Sequence, residues 1–249
     1  MKWVVKLRTL LLKFSGPLQS WGTNSDFETR HTDLYPSKSA VIGLVAASLG
    51  YRRDEYEEIQ KLNELDFAVR IDQKGNLKRD YQTAKSYKKN GDVLRTYVTN
   101  RYYIEDGIFS VALGHDNNEF IEGISYAVQN PYFQSYMGRR SLPLTSDFYI
   151  GIVDTDVISS LENLQWQASD WYKKRNNDIK SLTVYSDFKL SPNKNKHYRK
   201  DKVISFDQKA RTFAYRYESR STVPLKNNFV KGEHDAFAAI GDEICIYHE

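Results

Sequence analysis

The sequence predicts an α+β protein with a ferredoxin-like order of strand, helix, strand, strand, helix, strand. Apolar segments of strand length recur at residues 4–14, 67–72, 108–113 and 147–154. Helical segments lie at 36–50 and 116–130, between the first and second and between the third and fourth of these strands. A long polar stretch at 74–103 separates the two middle strands and is too long for a simple connection, so it predicts an inserted arm.

The first strand and the first helix are the most apolar parts of the chain. Residues 4–14, VVKLRTLLLKF, are β-branched and leucine-rich, which suits a strand with buried faces. A loop rich in turn-forming residues follows. The helix is then apolar or small at almost every position from Ala40 to Leu49, with Ser37 as a possible cap and Gly50 as a natural end. We therefore expect a helix that is buried on all sides.

Residue patterns also predict a second strand and a second helix. Phe67, Val69 and Ile71 alternate with smaller or polar residues, which is the period of a half-buried strand. In the second helix, Asp116 and Glu119 have the spacing of a capping box, and Pro131 marks its end. One apolar stripe runs along that helix, formed by Phe120, Ile121, Ile124 and Val128.

The pattern changes near residue 155, so two regions are predicted. Residues 1–155 form the ferredoxin-like domain, with the arm, or thumb, at about 74–103. Residues 156–249 form a smaller β-rich region, with short strands expected within 180–190, 202–207 and 211–219. No internal repeat or low-complexity tract is present.

Composition excludes several classes of protein. The single cysteine, Cys245, cannot form an internal disulfide or a cysteine-based metal cluster, and it fits a reducing compartment. The start of the chain lacks the long apolar run and cleavage site of a signal peptide. No stretch approaches the roughly 20 apolar residues of a membrane span. We expect a soluble cytoplasmic protein with no membrane association.

Positive charge is concentrated in two segments. Residues 74–103 contain eight Lys or Arg and two Asp, a net charge of +6, and residues 173–202 contain ten Lys or Arg and three Asp, a net charge of +7. Because the whole chain carries +4, the remaining residues carry −9. Basic segments on an acidic body indicate a polyanionic partner. For the second segment the sequence leaves RNA, target DNA and a neighbouring protein subunit open.

The first basic segment also contains five tyrosines, at positions 81, 87, 97, 102 and 103. Tyrosine rings stack on unpaired bases while Lys and Arg hold the backbone, so the mixture favours single-stranded nucleic acid over duplex. The central KKNGD predicts the tip of a hairpin. The alternative is a solvated loop that happens to be basic.

Two further sites are candidates for phosphate binding. A helix start presents unpaired N–H groups to an anion, and here Ser37, Lys38 and Ser39 occupy it, although the P-loop pattern is absent. The second candidate is the turn Gly138-Arg139-Arg140, in which glycine allows close approach and the guanidinium groups match phosphate geometry. Taken alone, such a helix start is more often an ordinary cap, and a Gly-Arg-Arg turn is more often a solvated loop.

Several motifs together resemble one known family. They are LLLKFSGPLQSWG (10–22), RHT before YPSKSAVIGLVAASLGYRRDE (together 30–55), FAVRID (67–72), RDYQT (79–83), RYYIEDGIFSVAL (101–113) and PYFQSYMGRRSLPL (131–144). In this order and spacing the chain resembles the CasD-type subunits of type I-E CRISPR surveillance complexes (Cascade), within the RAMP superfamily. The resemblance covers roughly residues 10–150 and is only general beyond them.

The resemblance implies a ferredoxin-like palm, a thumb and a small C-terminal β region. It implies binding to the 5′ handle of the CRISPR RNA at one end of the Cascade backbone, next to a CasC-like backbone subunit and a CasA-like large subunit, with target DNA near the recognition end as a further possible partner. No cofactor or metal is implied. Carried over to this chain, the RNA-binding residues are Trp21, Arg30, Ser37, Lys38, Ser39, Arg79, Tyr81, Lys85, Lys88, Lys89, Arg95, Arg101, Gly138, Arg139 and Arg140.

Two functional hypotheses remain. The first is a non-catalytic RNA-binding and assembly subunit for antiviral defence, which the resemblance to the type I-E branch favours. The alternative is a metal-independent endoribonuclease that processes CRISPR repeat RNA, which needs an acid–base group such as histidine. The five histidines are scattered, and only His31 lies in the loop expected to face RNA. Neither a metal-binding spacing nor a G-x-S-x-G motif is present.

Overall fold

A seven-stranded antiparallel sheet forms the centre of the protein. The structure is a computed structural model that describes residues 7–22, 28–191 and 196–225. The strands are β1 (Arg8–Phe14), β2 (Leu18–Gln19), β3 (Thr29–Arg30), β4 (Asp66–Gln73), β5 (Asn76–Tyr87), β6 (Val93–Glu105), β7 (Ile108–His115), β8 (Tyr149–Val153), β9 (Ser181–Asp187), β10 (Lys196–Ser205) and β11 (Thr212–Pro224). The helices are α1 (Lys38–Leu49), α2 (Tyr56–Leu62), α3 (Asn118–Gln129), α4 (Val157–Asn163) and α5 (Asp170–Arg175).

The large sheet has the strand order β10-β11-β9-β4-β7-β1-β8, and every neighbouring pair is antiparallel. The predicted α+β class is therefore confirmed at the level of a mixed fold with one large antiparallel sheet and few helices. The strands expected after residue 155 are present as β9, β10 and β11. They continue the same sheet, because β9 pairs with β4, so the change of pattern near residue 155 does not separate two sheets.

The core lies on both faces of this sheet. Along β1, Leu10 and Leu12 belong to the cluster under α1, α2 and α3, while Leu11 belongs to a second cluster under α4. Burial on both faces explains why the strand is apolar at consecutive positions instead of at alternating ones. No helix in the described ranges has the length and apolar character that a membrane crossing requires.

Helix α1 confirms the expected boundaries. The Ser37 side chain accepts a hydrogen bond from the N–H of Ala40, and Gly50 ends the helix with φ +86°. The helix contacts α2, α3 and β10 as well as the buried cluster, which explains its apolar residues on all sides.

Helix α3 begins one residue later than the sequence suggests. Asn117, and not Asp116, is its N-cap, because the Asn117 side chain accepts the hydrogen bond from the N–H of Phe120. The predicted stripe is confirmed, since Ile121, Ile124 and Val128 are buried and Phe120 packs against them. The first residues of the predicted strand at 4–14, together with Cys245, His234 and His248, lie outside the described residues.

Candidate nucleic-acid interface

The predicted arm is present as a long β-hairpin. Strands β5 and β6 pair in antiparallel register from Asn76 opposite Glu105 to Tyr87 opposite Val93. The tip follows the KKNGD sequence, where the Lys88 N–H donates to the Asp92 carbonyl at 2.8 Å and the Gly91 N–H donates to the Lys88 carbonyl at 3.0 Å. Most residues between 76 and 98 are exposed on both faces of the hairpin, so the arm projects from the body.

The arm presents its basic and aromatic residues in two sets. Residues directly opposite each other share a face, so Arg79, Tyr81 and Lys85 lie on one face, and Arg95 and Tyr97 lie on the other. Every arm residue predicted to bind RNA is exposed, a set made of Arg79, Tyr81, Lys85, Lys88, Lys89, Arg95 and Arg101. The Arg79 guanidinium lies 5.6 Å from the centre of the Tyr81 ring, and that of Arg95 lies 4.8 Å from the Tyr97 ring. Exposed rings beside cations suit base stacking and phosphate contact.

The root of the arm is held by buried side chains. Gln19 donates from Nε2 to the carbonyl of Gly107 at 2.6 Å, and its Oε1 accepts from Trp21 Nε1 at 3.0 Å. Trp21 is only 1% exposed and meets Phe14 edge to face at 5.0 Å. The expectation that Trp21 contacts RNA is therefore wrong in this conformation, because the ring fills the core beneath the arm.

The Gly-Arg-Arg turn lies against this root. Gly138 has φ +82°, and a Cβ there would lie 1.7 Å from the carbonyl oxygen of Ser20, so only glycine fits. Arg139 donates from Nη2 to the carbonyls of Tyr102 at 3.0 Å and Arg30 at 3.3 Å, and its guanidinium stacks 4.1 Å from the Tyr103 ring.

These contacts divide the roles of the two arginines. Arg139 is half-buried, and its Nη2 donates to two backbone carbonyls on different strands, so it holds the arm in position. Arg140 is exposed. Of the two arginines predicted to bind phosphate, Arg140 is therefore the one with an accessible side chain.

Three exposed arginines, Arg30, Arg53 and Arg211, lie close enough for their charges to interact, and Arg30 places them near the root of the arm; we call them the arginine cluster. Arg30 belongs to β3, where it is the strand partner of Arg101 in the arm. Arg101 and the three arginines of the cluster are all exposed. Partial burial lowers the pKa of Arg211, and the like charges of Arg53 and Arg30 lower it further. A cluster of cations that repel one another has the electrostatics of an anion-binding site. Sequence reasoning missed Arg53 and Arg211, although Arg53 lies in the quoted YRRDE motif.

The start of α1 does not fit phosphate binding. Ser37, Lys38 and Ser39 are all buried. The N–H of Lys38 donates to the Asp201 carboxylate at 2.9 Å, and the Lys38 ammonium binds Asp187 at 2.9 Å. Burial lowers the pKa of Lys38, and the charge of Asp187 opposes that shift. The anion at this helix start is thus the protein's own carboxylate, which corrects the expectation for these three residues.

His31 also lies at the root of the arm. Its ring stacks on Tyr102 with centroids 5.5 Å apart and planes 8° apart. Within residues 7–22, 28–191 and 196–225, no group of three or more His, Cys, Asp or Glu side chains is arranged to hold a metal ion.

Both the sequence and the fold of the chain match those of CRISPR-associated proteins. The chain belongs to the family described as CRISPR-associated protein (Cas_Cas5), which matches residues 9–218. More particularly, it is 32% identical over 180 residues to the CRISPR system Cascade subunit CasD of Escherichia coli (strain K12), an alignment that covers 66% of this chain and 80% of that protein.

Two solved structures share the fold. A chain from a CRISPR RNA-guided surveillance complex matches with a TM-score of 0.70 and 26% identity, covering 87% of this chain and 90% of that one. A crystal structure of a Cas protein matches with a TM-score of 0.62 and 29% identity, covering 87% of this chain and 95% of that one.

Proposed function

We propose that the protein is a non-catalytic Cascade subunit that binds the single-stranded 5′ handle of a CRISPR RNA. The exposed arm, with cations stacked beside tyrosine rings and an arginine cluster at its root, is the observation that carries this proposal. The similarity to Cascade subunit CasD and to a chain of an RNA-guided surveillance complex supports it.

The RNA would follow the charge from the root of the arm toward its tip. Phosphates would contact Arg30, Arg53, Arg140 and Arg211, while unpaired bases would stack on exposed arm rings such as Tyr81. Trp21, Gln19 and Arg139 hold the root in place and are outside the contact surface.

The sheet and helices that carry the arm are also consistent with the proposal. The order β8-β1-β7-β4, with α1 following β1 and α3 following β7, supports a ferredoxin-like palm for residues up to about 155, followed by a C-terminal β-rich region that widens its sheet. As a Cascade subunit, the protein would contact a CasC-like backbone subunit and a CasA-like large subunit. It would act in the cytoplasm, where CRISPR RNA is made and used.

The proposal is tested by purifying the complex from the host and sequencing the small RNAs bound to it. We expect RNAs that share one 5′ handle sequence. Direct binding of handle RNA should weaken when Tyr81 and Tyr97 are replaced by leucine, at about tenfold or more for each base that loses its stack. A complex without RNA, or variants with unchanged affinity, would contradict the proposal.

The endoribonuclease alternative has one structural observation in its favour, namely His31 at the root of the arm. Incubation of the purified chain with repeat RNA in EDTA separates the two functions. We expect intact RNA. Products with a 2′,3′-cyclic phosphate that disappear in His31→Ala would instead establish cleavage at this position.

A further inference from the structure

The outer face of the hairpin β10–β11 carries exposed tyrosines and lysines that the proposed handle site does not use. Tyr198, Tyr215 and Tyr217 expose 67%, 62% and 40% of their surface. Two exposed lysines of the hairpin lie beside these rings. We call this set the outer patch: Tyr198, Tyr215, Tyr217, Lys196 and Lys200.

The opposite face of the same hairpin carries charges that are paired within the protein. Arg199 and Arg216 of the hairpin join Lys38 of α1 as cations, and their carboxylate partners are Asp33, Asp187, Asp201 and Glu218. Asp187, Asp201 and Glu218 are buried. The carboxylates of this network are thus bound to its own cations.

The outer patch itself combines rings with unpaired cations. Lys196 Nζ lies 3.5 Å from the centre of the Tyr217 ring, and Lys200 Nζ lies 6.0 Å from that of Tyr215. Tyr198 and Tyr217 are directly opposite across the two strands and share a hydrogen bond between their hydroxyl groups. Among the described residues, neither of the two lysines forms an ion pair. Strand β10 is the edge of the sheet, so the patch is open on that side.

We propose that the outer patch binds a single-stranded polynucleotide, with bases stacked on the tyrosines and phosphates held by the lysines. Charge complementarity selects a polyanion, and exposed ring faces select unpaired bases over duplex. Tyrosine faces and ammonium groups contact bases and phosphates, which RNA and DNA share. The patch should therefore bind RNA and DNA single strands alike, and it does so independently of the handle site.

The experiment uses the full chain with Arg140→Gln and Arg211→Gln, which weakens the proposed handle site. Binding of short oligouridylate and oligothymidylate is measured by fluorescence anisotropy over a range of salt concentrations. Adding Lys196→Gln and Lys200→Gln should lower the slope of log affinity against log salt by about 1.4, at roughly 0.7 for each lost phosphate contact. The matched control adds Lys174→Gln and Lys180→Gln near α5, with the same change in charge, and should leave the slope unchanged.

A tyrosine variant gives a second, independent measurement. Replacing Tyr198 and Tyr215 by leucine should weaken both oligonucleotides about tenfold or more, since a lost base stack has that effect. Both rings are exposed, so thermal unfolding should be little changed. The proposal is overturned if the patch variants bind like the control, if only one type of sugar binds, or if duplex binds equally well. Failure of the handle proposal would show as unchanged handle affinity in arm variants and would leave this result standing.

Discussion

Replacing Arg30, Arg53 and Arg211 by glutamine should weaken RNA binding and should also make the affinity less dependent on salt concentration. Each phosphate contact on a single strand contributes about 0.7 to the slope of log affinity against log salt, so three contacts contribute about 2. Over a fourfold rise in salt, the wild-type protein should therefore lose about 20-fold more affinity than the variant. The structure motivates this number because the three side chains form one exposed cluster at the root of the arm.

The same variant should not lose stability. The pKa of Arg211 is lowered in the folded state, first by burial and then by its arginine neighbours, so folding disfavours its charged form. At neutral pH the charge is present in both states, and its removal should raise the free energy of unfolding by up to about 0.5 kcal/mol. Handle RNA is titrated at several salt concentrations, and urea unfolding is measured alongside. The control is Lys174→Gln, Arg175→Gln and Lys180→Gln, and an equal slope for variant and wild type would refute the reasoning.

Four other changes test how the interior positions the site. Gly138→Ala should lower the free energy of unfolding by about 2 kcal/mol or more, because the new Cβ would lie 1.7 Å from a backbone oxygen; a thermal unfolding curve like that of wild type would contradict the close approach. Trp21→Ala should cost roughly 3–5 kcal/mol of stability in urea unfolding, whereas a direct RNA contact would lower affinity without that loss. Asp201→Ala should cost roughly 1.5–3 kcal/mol, because it removes the carboxylate that binds both Arg216 and the N–H of Lys38 at the start of α1, although Asp187 and Glu218 still bind Arg216; unchanged unfolding would contradict this role of Asp201. For Asp156, burial raises the pKa, but hydrogen bonds from the first turn of α4 outweigh burial and lower the pKa below 3.8. The charged Asp156 side chain therefore stabilises the fold fully above the unfolded pKa. In acid titrations, the difference in unfolding free energy between wild type and Asp156→Asn should shrink as the pH falls through the lower pKa of the folded state.

The sequence was sufficient for the parts of the fold that depend on local pattern. The KKNGD tip and the cap and end of α1 are short-range signals, and the structure contains each of them. The exposed cations of the arm followed from the same reasoning, since a hairpin that projects from the body leaves both of its faces in water.

The partners of individual charges could not be predicted in this way. Lys38 and Arg140 look alike as basic residues beside small or polar neighbours, yet one is buried against Asp187 and the other is exposed. The difference arises because Asp187 lies 149 positions away along the chain and reaches α1 only when β9 joins the sheet. For the same reason Arg211 joins Arg30 and Arg53 without any local signal.

Together, two of the sequence motifs contain both buried residues that hold the root of the arm and exposed residues that are free to contact RNA. Within G-P-L-Q-S-W-G, the side chains of Gln19 and Trp21 face inward and connect the root of the arm to the core. Within G-R-R, Arg139 connects two backbone carbonyls on different strands, while Arg140 remains exposed. A flexible single strand can be bound in register only if the arm and the arginine cluster keep a fixed spacing. Buried donors that hydrogen-bond to backbone carbonyls provide that spacing, so variants of the inward-facing residues should change affinity through geometry and stability together, whereas variants of the exposed cations should change affinity alone.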